Sequence, residues 1–575
     1  MADPPPDGRS AWTARLLCLA AGAAAALAHP PWGLLPGLLG YALLLWLLDG
    51  SRSGVALRWS PLPRLRRYFP QWGKRDAALS PPPGWSTAEG REGGSSEAQR
   101  LASRQPTLRS AFFRGWLAGC AYFLVSLFWI AEPFQVDAAN QGWMAPFAVA
   151  LVAMGMALFW GAAAFLYRAL AGRRAARLLV FAGAFALLEW LRGHILTGFP
   201  WDLPCETWRA GSPISQAAAL VGAYGLTWIS LAIAAAPAVI GEAWRGRAAV
   251  GAAALTLVAL YAFGAWRMAG ARAPDPRSPW VRVVQPDVQQ SSKYDPALFA
   301  SIVTRYVSLT AGRAAHPVQI VVWPEGAIPA ALGDYLAPGT WTRAAIVGAL
   351  SPGQTLLMGG YRVADAAAEP PVIYNSLVAV TRVGDGLALA GLYDKFRLVP
   401  FGEFLPFDAL AGRLGIKTFV HVGDGFSAGP RPRPLRVPGL PVVQPLICYE
   451  ALYPGFTREG ARAAGVRPSW IVNVSNDAWF GATSGPWQHL NMASYRAIEE
   501  GLPMVRATPT GVSAVIDAFG RVVPGARLGE GAFGFIDAQL PSALAPTPYS
   551  RLGDAPFWLM LIVSLAGARP IWRRR

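Results

Sequence analysis

Few side chains in this 575-residue chain can do covalent or metal chemistry. There are four cysteines (Cys18, Cys120, Cys205, Cys448) and five histidines (His29, His194, His316, His421, His489). No cysteines stand in a CxxC spacing and the histidines do not cluster, which excludes a disulfide framework and a zinc site, so no metal is expected. No GxGxxG or GxxxxGK[ST] follows an apolar run, which leaves nucleotide binding without support and no cofactor to expect. Charge is scarce as well. Charged residues make up 15% of the chain and hydrophobic ones 53%, with mean hydropathy +0.31, too apolar for an ordinary soluble enzyme.

What is abundant is apolar sequence, concentrated before residue 270 and at the C-terminal end. A helix needs about 20 mostly apolar residues to cross a bilayer. Candidate spans are 11–28, 34–49, 111–131, 144–167, 177–192, 218–240, 249–267 and 554–569. The first has a basic flank like a signal peptide, but a second apolar stretch follows at once with no cleavage pattern, so it reads as a retained span. Loop charge sets the orientation. The segment 50–110, the loop Arg168–Arg177, the pair Arg245 and Arg247 and the terminal Arg573-Arg574-Arg575 are basic. The loop 132–143 has Glu132 and Asp137 and no base, and 193–217 is nearly neutral. Basic and non-basic loops alternate, so seven spans starting inside leave residues 270–553 outside, and an eighth returns the chain. The net charge of +17 therefore belongs mainly to cytoplasmic loops facing anionic lipid, and nucleic-acid binding is excluded. The Pro-, Ser- and Gly-rich stretch within 50–108 reads as a flexible basic insertion.

From 279 to 540 the pattern changes. Strands are expected at 281–288, 319–323, 355–363, 375–381, 441–448, 470–475 and 503–517, with helices at 296–311, 338–349 and 487–500, which indicates an α/β fold. Three chemically capable residues end or follow apolar strands: Glu325 in WPEG, Lys395 after Leu392-Tyr393-Asp394, and Cys448 in LICYE. Singly, each has a plainer reading: surface carboxylate, salt-bridge arm, core filler. Together they form an acyl-transfer set. A thiol needs a proton acceptor, a carboxylate can be that base, and an ammonium can face the oxyanion of a tetrahedral intermediate.

These residues, in this order and in the strings WPEG, YDKFRLVPFGEFLPF and LICYE, resemble the carbon–nitrogen hydrolase, or nitrilase, superfamily. NVSNDAWFG, GPWQH and the membrane-segment strings FWI and TGFPW narrow the resemblance to its apolipoprotein N-acyltransferase family. It covers the chain outside the 50–108 insertion. It implies a membrane helical bundle of about eight transmembrane helices (1–270 plus a C-terminal helix and basic tail, 554–575) and an external α/β nitrilase-like αββα sandwich, 279–540. It implies a monomer in the bacterial inner membrane, its catalytic domain periplasmic. The implied reaction moves an acyl chain from a phospholipid, phosphatidylethanolamine by expectation, to the N-terminal S-diacylglyceryl cysteine of apolipoproteins through a thioester on the enzyme. On the resemblance Cys448 is nucleophile, Glu325 base and Lys395 oxyanion stabiliser. Glu403, Tyr449 and Glu450 match supporting positions, and Trp479 and Phe480 a loop bordering the lipid entrance. Tyr294 stands where the family commonly has tryptophan, and Ala-Thr-Pro-Thr-Gly at 507–511 departs from its usual string. A membrane-tethered amidase, with water replacing the lipoprotein amine, uses the same three residues.

Overall fold

The computed structural model describes residues 8–50, 106–172, 174–404 and 425–568. The basic insertion falls almost wholly outside the described residues, as do the arginine tail and the end of the LVPFGEFLP string.

Before residue 270 the described chain is helical. Three helices are long and apolar enough to cross a membrane, Ala138–Leu170, Ile214–Val239 and Ala243–Ala269, and Leu108–Ser126 with Phe128–Gln135 adds a fourth if this pair, bent by 47°, is one span. The apolar helices Trp12–Leu27, Leu35–Asp49 and Ala555–Gly567 are shorter, and Arg177–Arg192 has only 16 residues, ending on a buried Glu189–Arg192 ion pair. The described helices thus give three spans by length and composition, four with the bent pair, where eight were expected. The helix Ala243–Ala269 buries only Gly246 and Gly264, leaving Leu255, Val258 and Trp266 more than 60% exposed. So bare an apolar helix is stable where lipid, not water, meets its side chains. Helices in the bundle approach through small residues. A Cβ on Gly22 would stand 1.8 Å from the Ala118 carbonyl oxygen, so the chains touch backbone to backbone there.

The region after 279 is built on two sheets. One has six strands in the order β11-β1-β2-β3-β4-β5, the other five in the order β10-β9-β8-β7-β6. In the first, β1 (Trp280–Gln285), β2 (Ile320–Trp323) and β3 (Thr355–Asp365) are parallel, and β4 (Val372–Val383), β5 (Gly386–Asp394) and β11 (Gly534–Gln539) antiparallel. In the second, β6 (Val443–Ile447), β7 (Trp470–Val474) and β8 (Met504–Ala507) are parallel, with β9 (Ser513–Ile516) and β10 (Val522–Leu528) antiparallel. Alternation sorts the side chains. Val281, Val283, Ile320 and Val322 meet Ile447, Val472, Val474 and Val505 between the sheets. Val284, Val321 and Trp323 point the other way, onto the helices Phe299–Thr310 and Trp341–Ala349. The outer face of the second sheet, with Leu446, Ile471 and Met504, packs in one continuous core with the helix Gly485–Glu500 and the membrane-region helices. This is the nitrilase-like sandwich, joined to the helical region without an intervening gap.

The run expected at 503–517 is two antiparallel strands, because Pro509 and Gly511 break it. Strands β5, β10 and β11 carry glycine- and alanine-rich or short patterns that give little periodic signal.

Candidate active site

Strand ends bring the three expected residues together. Glu325 follows β2, Lys395 follows β5, and Cys448 follows β6. One Glu325 carboxylate oxygen (Oε1) accepts from Lys395 Nζ at 3.2 Å and Asn375 Nδ2 at 2.7 Å, while Oε2 accepts the Asn476 backbone N–H at 2.8 Å. Glu403 mirrors it. Its Oε1 accepts from the same Lys395 at 2.9 Å and the same Asn375 at 2.7 Å, and its Oε2 takes the Val399 N–H at 2.8 Å. Two carboxylates, one ammonium and one amide thus close a ring, with Lys395 almost wholly buried. Asn375, from the middle of β4, is the member that sequence reasoning missed.

Charge follows from this ring. Burial alone would push Glu325 up, but the Lys395 ammonium and the Asn375 and Lys395 hydrogen bonds outweigh it and hold the carboxyl below its usual range. Burial would pull Lys395 down, and the two carboxylates instead hold it well above the ordinary lysine range. Burial and the Glu325 charge push the Cys448 thiol up to about 12, against a smaller opposing effect of Lys395. At pH 7 the resting thiol keeps its proton. The site therefore stores its proton on sulfur and its acceptor on Glu325, so proton transfer accompanies attack rather than preceding it.

Cys448 sits on a sharp elbow, with φ +47° in a region that L-residues rarely adopt. Glu450 holds that elbow. Its Oε2 accepts the Ile447 N–H at 2.9 Å, while Oε1 accepts Phe396 N–H at 2.7 Å, Arg397 N–H at 3.2 Å and the Tyr393 hydroxyl at 2.9 Å. One carboxylate thus ties the nucleophile turn to the loop bearing Lys395. Its burial raises its pKa to about 7. On the other side His489 Nε2 lies 3.3 Å from the Cys448 carbonyl oxygen and Nδ1 3.1 Å from Asp477 Oδ1. Asp477 also accepts from Ser475 Oγ at 2.7 Å and from Arg506 at 2.6 Å. Strand β8 and its turn come so close that a Cβ on Gly511 would lie 2.4 Å from the Asp477 Cβ, which explains glycine there. Burial would raise Asp477, but Arg506 and His489 outweigh it and lower it to about 2. A carboxyl depressed from 3.8 contributes on the order of 2 kcal/mol above pH 4, lost as pH falls toward 2. Asp477→Asn is expected to lower the unfolding temperature at pH 7 and to flatten the loss between pH 4 and 2, measured by thermal unfolding in detergent.

The remaining expected residues are placed differently. The Tyr449 hydroxyl donates to the Gly198 carbonyl at 2.5 Å, so it pins the elbow to the TGFPW loop of the helical region. Phe480 is buried, its ring 4.6 Å from that of Trp129 in FWI and 5.6 Å from that of Trp201 in TGFPW. It is a core residue of the junction between sandwich and helices, while neighbouring Trp479 is 39% exposed. Tyr294 is exposed and stays outside the hydrogen-bonded ring, whereas its neighbour Lys293 is buried beside Glu325, which offsets part of the burial effect that lowers Lys293 to about 8. Among the described residues no three His, Cys, Asp or Glu side chains are grouped to hold a metal ion.

Residues 281–549 match the carbon–nitrogen hydrolase family, the class that two sheets and a Glu–Lys–Cys constellation define. Residues 98–236 match the apolipoprotein N-acyltransferase N-terminal domain. Relatives named apolipoprotein N-acyltransferase include one from Caulobacter vibrioides, 53% identical over 96% of this chain and 94% of its own, and one from Bradyrhizobium diazoefficiens, 35% identical over 98% and 95%. The chain belongs to the apolipoprotein N-acyltransferase family. Among solved structures, a Nesterenkonia amidase of the nitrilase superfamily (a C145A mutant) aligns with 50% of this chain and 98% of its own at 16% identity and a TM-score of 0.33, too slight a likeness to argue from.

Proposed function

We propose that the chain moves an acyl group from a membrane phospholipid to the α-amino group of an S-diacylglyceryl cysteine, the last step of bacterial lipoprotein maturation. The observation that carries this reading is the Glu325–Lys395–Glu403–Asn375 ring beside Cys448, on an elbow fastened to the helical region through Tyr449 and Gly198. Cys448 Sγ attacks the lipid ester carbon while its proton passes to Glu325. The oxyanion that forms faces the Lys395 ammonium. Collapse breaks the ester C–O bond, and the lysophospholipid oxygen leaves with the proton from Glu325. The lipoprotein amine then attacks the thioester, Glu325 takes a proton from nitrogen, and the sulfur departs and is reprotonated. One site serving two substrates in turn requires ping-pong kinetics.

In this reading seven spans and a returning eighth hold the domain 279–540 on the periplasmic face of the inner membrane, and the protein acts as a monomer. Loop charge and the bare apolar face of Ala243–Ala269 support it. Both substrates keep their acyl chains in lipid, where withdrawal costs about 0.8 kcal/mol per CH₂, so a site at the junction with the helices is where they meet. Phosphatidylethanolamine is the expected donor. The test is purified enzyme with phosphatidylethanolamine and a diacylated lipopeptide. N-acylated lipopeptide with parallel double-reciprocal lines supports the reading, whereas ammonia released from simple amides without lipid would replace it with an amidase.

A further inference from the structure

Beside the ring of Glu325, Lys395, Glu403 and Asn375 stands a cation that the reaction steps leave without a task. Lys293 ends the short helix Gln290–Lys293 and is only 3% exposed. Its Nζ makes no hydrogen bond or ion pair among the described residues, and Glu325 acts on it through charge alone. The ammonium lies against Gly326, the residue after the base. A Cβ on Gly326 would stand 2.8 Å from Nζ, and φ there is +56°, so glycine keeps open the space that the ammonium fills. The lysine's helix is fastened to the same carboxylate by a second route. Asn476 donates its backbone N–H to Glu325 Oε2 at 2.8 Å and its Nδ2 to Gln290 Oε1 at 2.9 Å.

A buried lysine is costly unless an opposite charge offsets its lost hydration. Burial pulls Lys293 down to about 8, with the Glu325 charge opposing, so it is still mostly protonated at pH 7. The ring explains why a cation is held there. Glu325 and Glu403 set two carboxylates against the ammonium of Lys395, an excess of one negative charge when both are ionised. During attack Lys395 also faces the oxyanion, and its hold on Glu325 is then divided. A cation committed to no hydrogen bond keeps acting on the base throughout. We propose that Lys293 is the second cation of the active site, a positioning residue that keeps Glu325 ionised and ready to take the thiol proton. The other titratable groups around the pair are Lys395, Glu403, the Cys448 thiol with Asp477 behind it, and the hydroxyls of Tyr294 and Tyr361. Lys293 Nζ lies 5.9 Å from the Tyr294 ring centroid. The inference rests on Glu325 as the base, not on the identity of the acyl donor.

Loss of the cation lets Glu325 rise, so the base is protonated at higher pH. Acylation of Cys448 by a p-nitrophenyl ester, read as adduct mass on the full chain in detergent micelles, isolates this step between pH 5 and pH 9. The ratio of wild-type to Lys293→Met rates is expected to be near one at pH 9, where Lys293 has itself lost its proton. It should grow several-fold by pH 5, as Glu325 of the variant takes up a proton. Lys293→Arg keeps a positive charge and should follow the acid limb of the wild type. A ratio constant with pH would reduce Lys293 to packing and overturn the proposal. So would an acid limb in Lys293→Arg that moves as far as in Lys293→Met. The pH profile of Cys448 alkylation by iodoacetamide reports the thiol separately. A shift there with an unmoved acylation limb would place the effect of Lys293 on the sulfur and sink the assignment to the base. Glu325→Gln acylated at the wild-type rate would instead remove the base reading on which the inference stands.

Discussion

Glu325→Gln is expected to slow Cys448 acylation by about 10³-fold, and at the same time to make the thiol easier to ionise. The two effects come from one carboxylate. As the base, Glu325 receives the sulfur proton during attack, and a positioned base of this kind contributes about 10²–10⁴-fold. As a charge, it opposes the thiolate, being the second cause after burial of the rise to about 12. Glutamine keeps the shape, accepts from Lys395 with its amide oxygen, and removes the negative charge. The rate of alkylation by iodoacetamide against pH should therefore move to lower pH in Glu325→Gln while acyl transfer collapses. If alkylation moves to higher pH, Glu325 was assisting ionisation by some route other than accepting the proton.

The next largest effect is at Lys395. Lys395→Met removes the only cation seen to bridge Glu325 and Glu403 among the described residues, leaving two buried carboxylates that share Asn375. Breaking a buried pair from one side costs about 3–5 kcal/mol, and loss of one oxyanion donor about 10²–10³-fold in rate. The surviving carboxylates resolve their repulsion by holding a proton between them, so the sign of the pH dependence is set. Wild-type Glu325 is held below its usual range by Lys395, whereas in Lys395→Met the pair takes up a proton at higher pH than Glu325 does in the wild type. Stability is compared between pH 6 and 8. Unfolding in detergent should show the variant less stable, with the deficit growing as pH rises. A variant with wild-type stability across that range would mean the ion-pair ring does not form.

Much of this was legible in the sequence, for reasons particular to each residue. Glu325, Lys395 and Cys448 each end or follow an apolar strand, and the ends of strands are where an α/β sheet presents its chemistry. Asn375 was not legible, because it sits within β4 and nothing in its neighbours marks a side chain that bridges two carboxylates. Asp477, His489 and Arg506 lie on three different elements, and only folding shows that they support the Cys448 carbonyl. Glu450 was named from its string alone, but its role was also legible: three residues beyond Ile447, its carboxylate accepts the Ile447 N–H, the spacing of one half of a capping box. The burial of Phe480 was not legible in the sequence. Its partners Trp129 and Trp201 are remote in sequence and bury it. Apolar length marks eight candidate spans, of which three or four are met by described helices of full length. The short helices Leu39–Asp49 and Arg177–Arg192 pack against other helices, while Ala243–Ala269 turns nearly its whole surface outward.

The most direct test of the central claim, that Cys448 carries the acyl group between two lipid-held substrates, is intact-protein mass spectrometry. Full-length protein is mixed with phosphatidylethanolamine of a single chain length, and a diacylated lipopeptide is then added. The account predicts a mass increase of one acyl chain, mapped to Cys448, cleaved by neutral hydroxylamine and absent in Cys448→Ser. It predicts complete loss of that adduct as N-acylated lipopeptide appears. Product formed at full rate while Cys448 stays a free thiol throughout would contradict it.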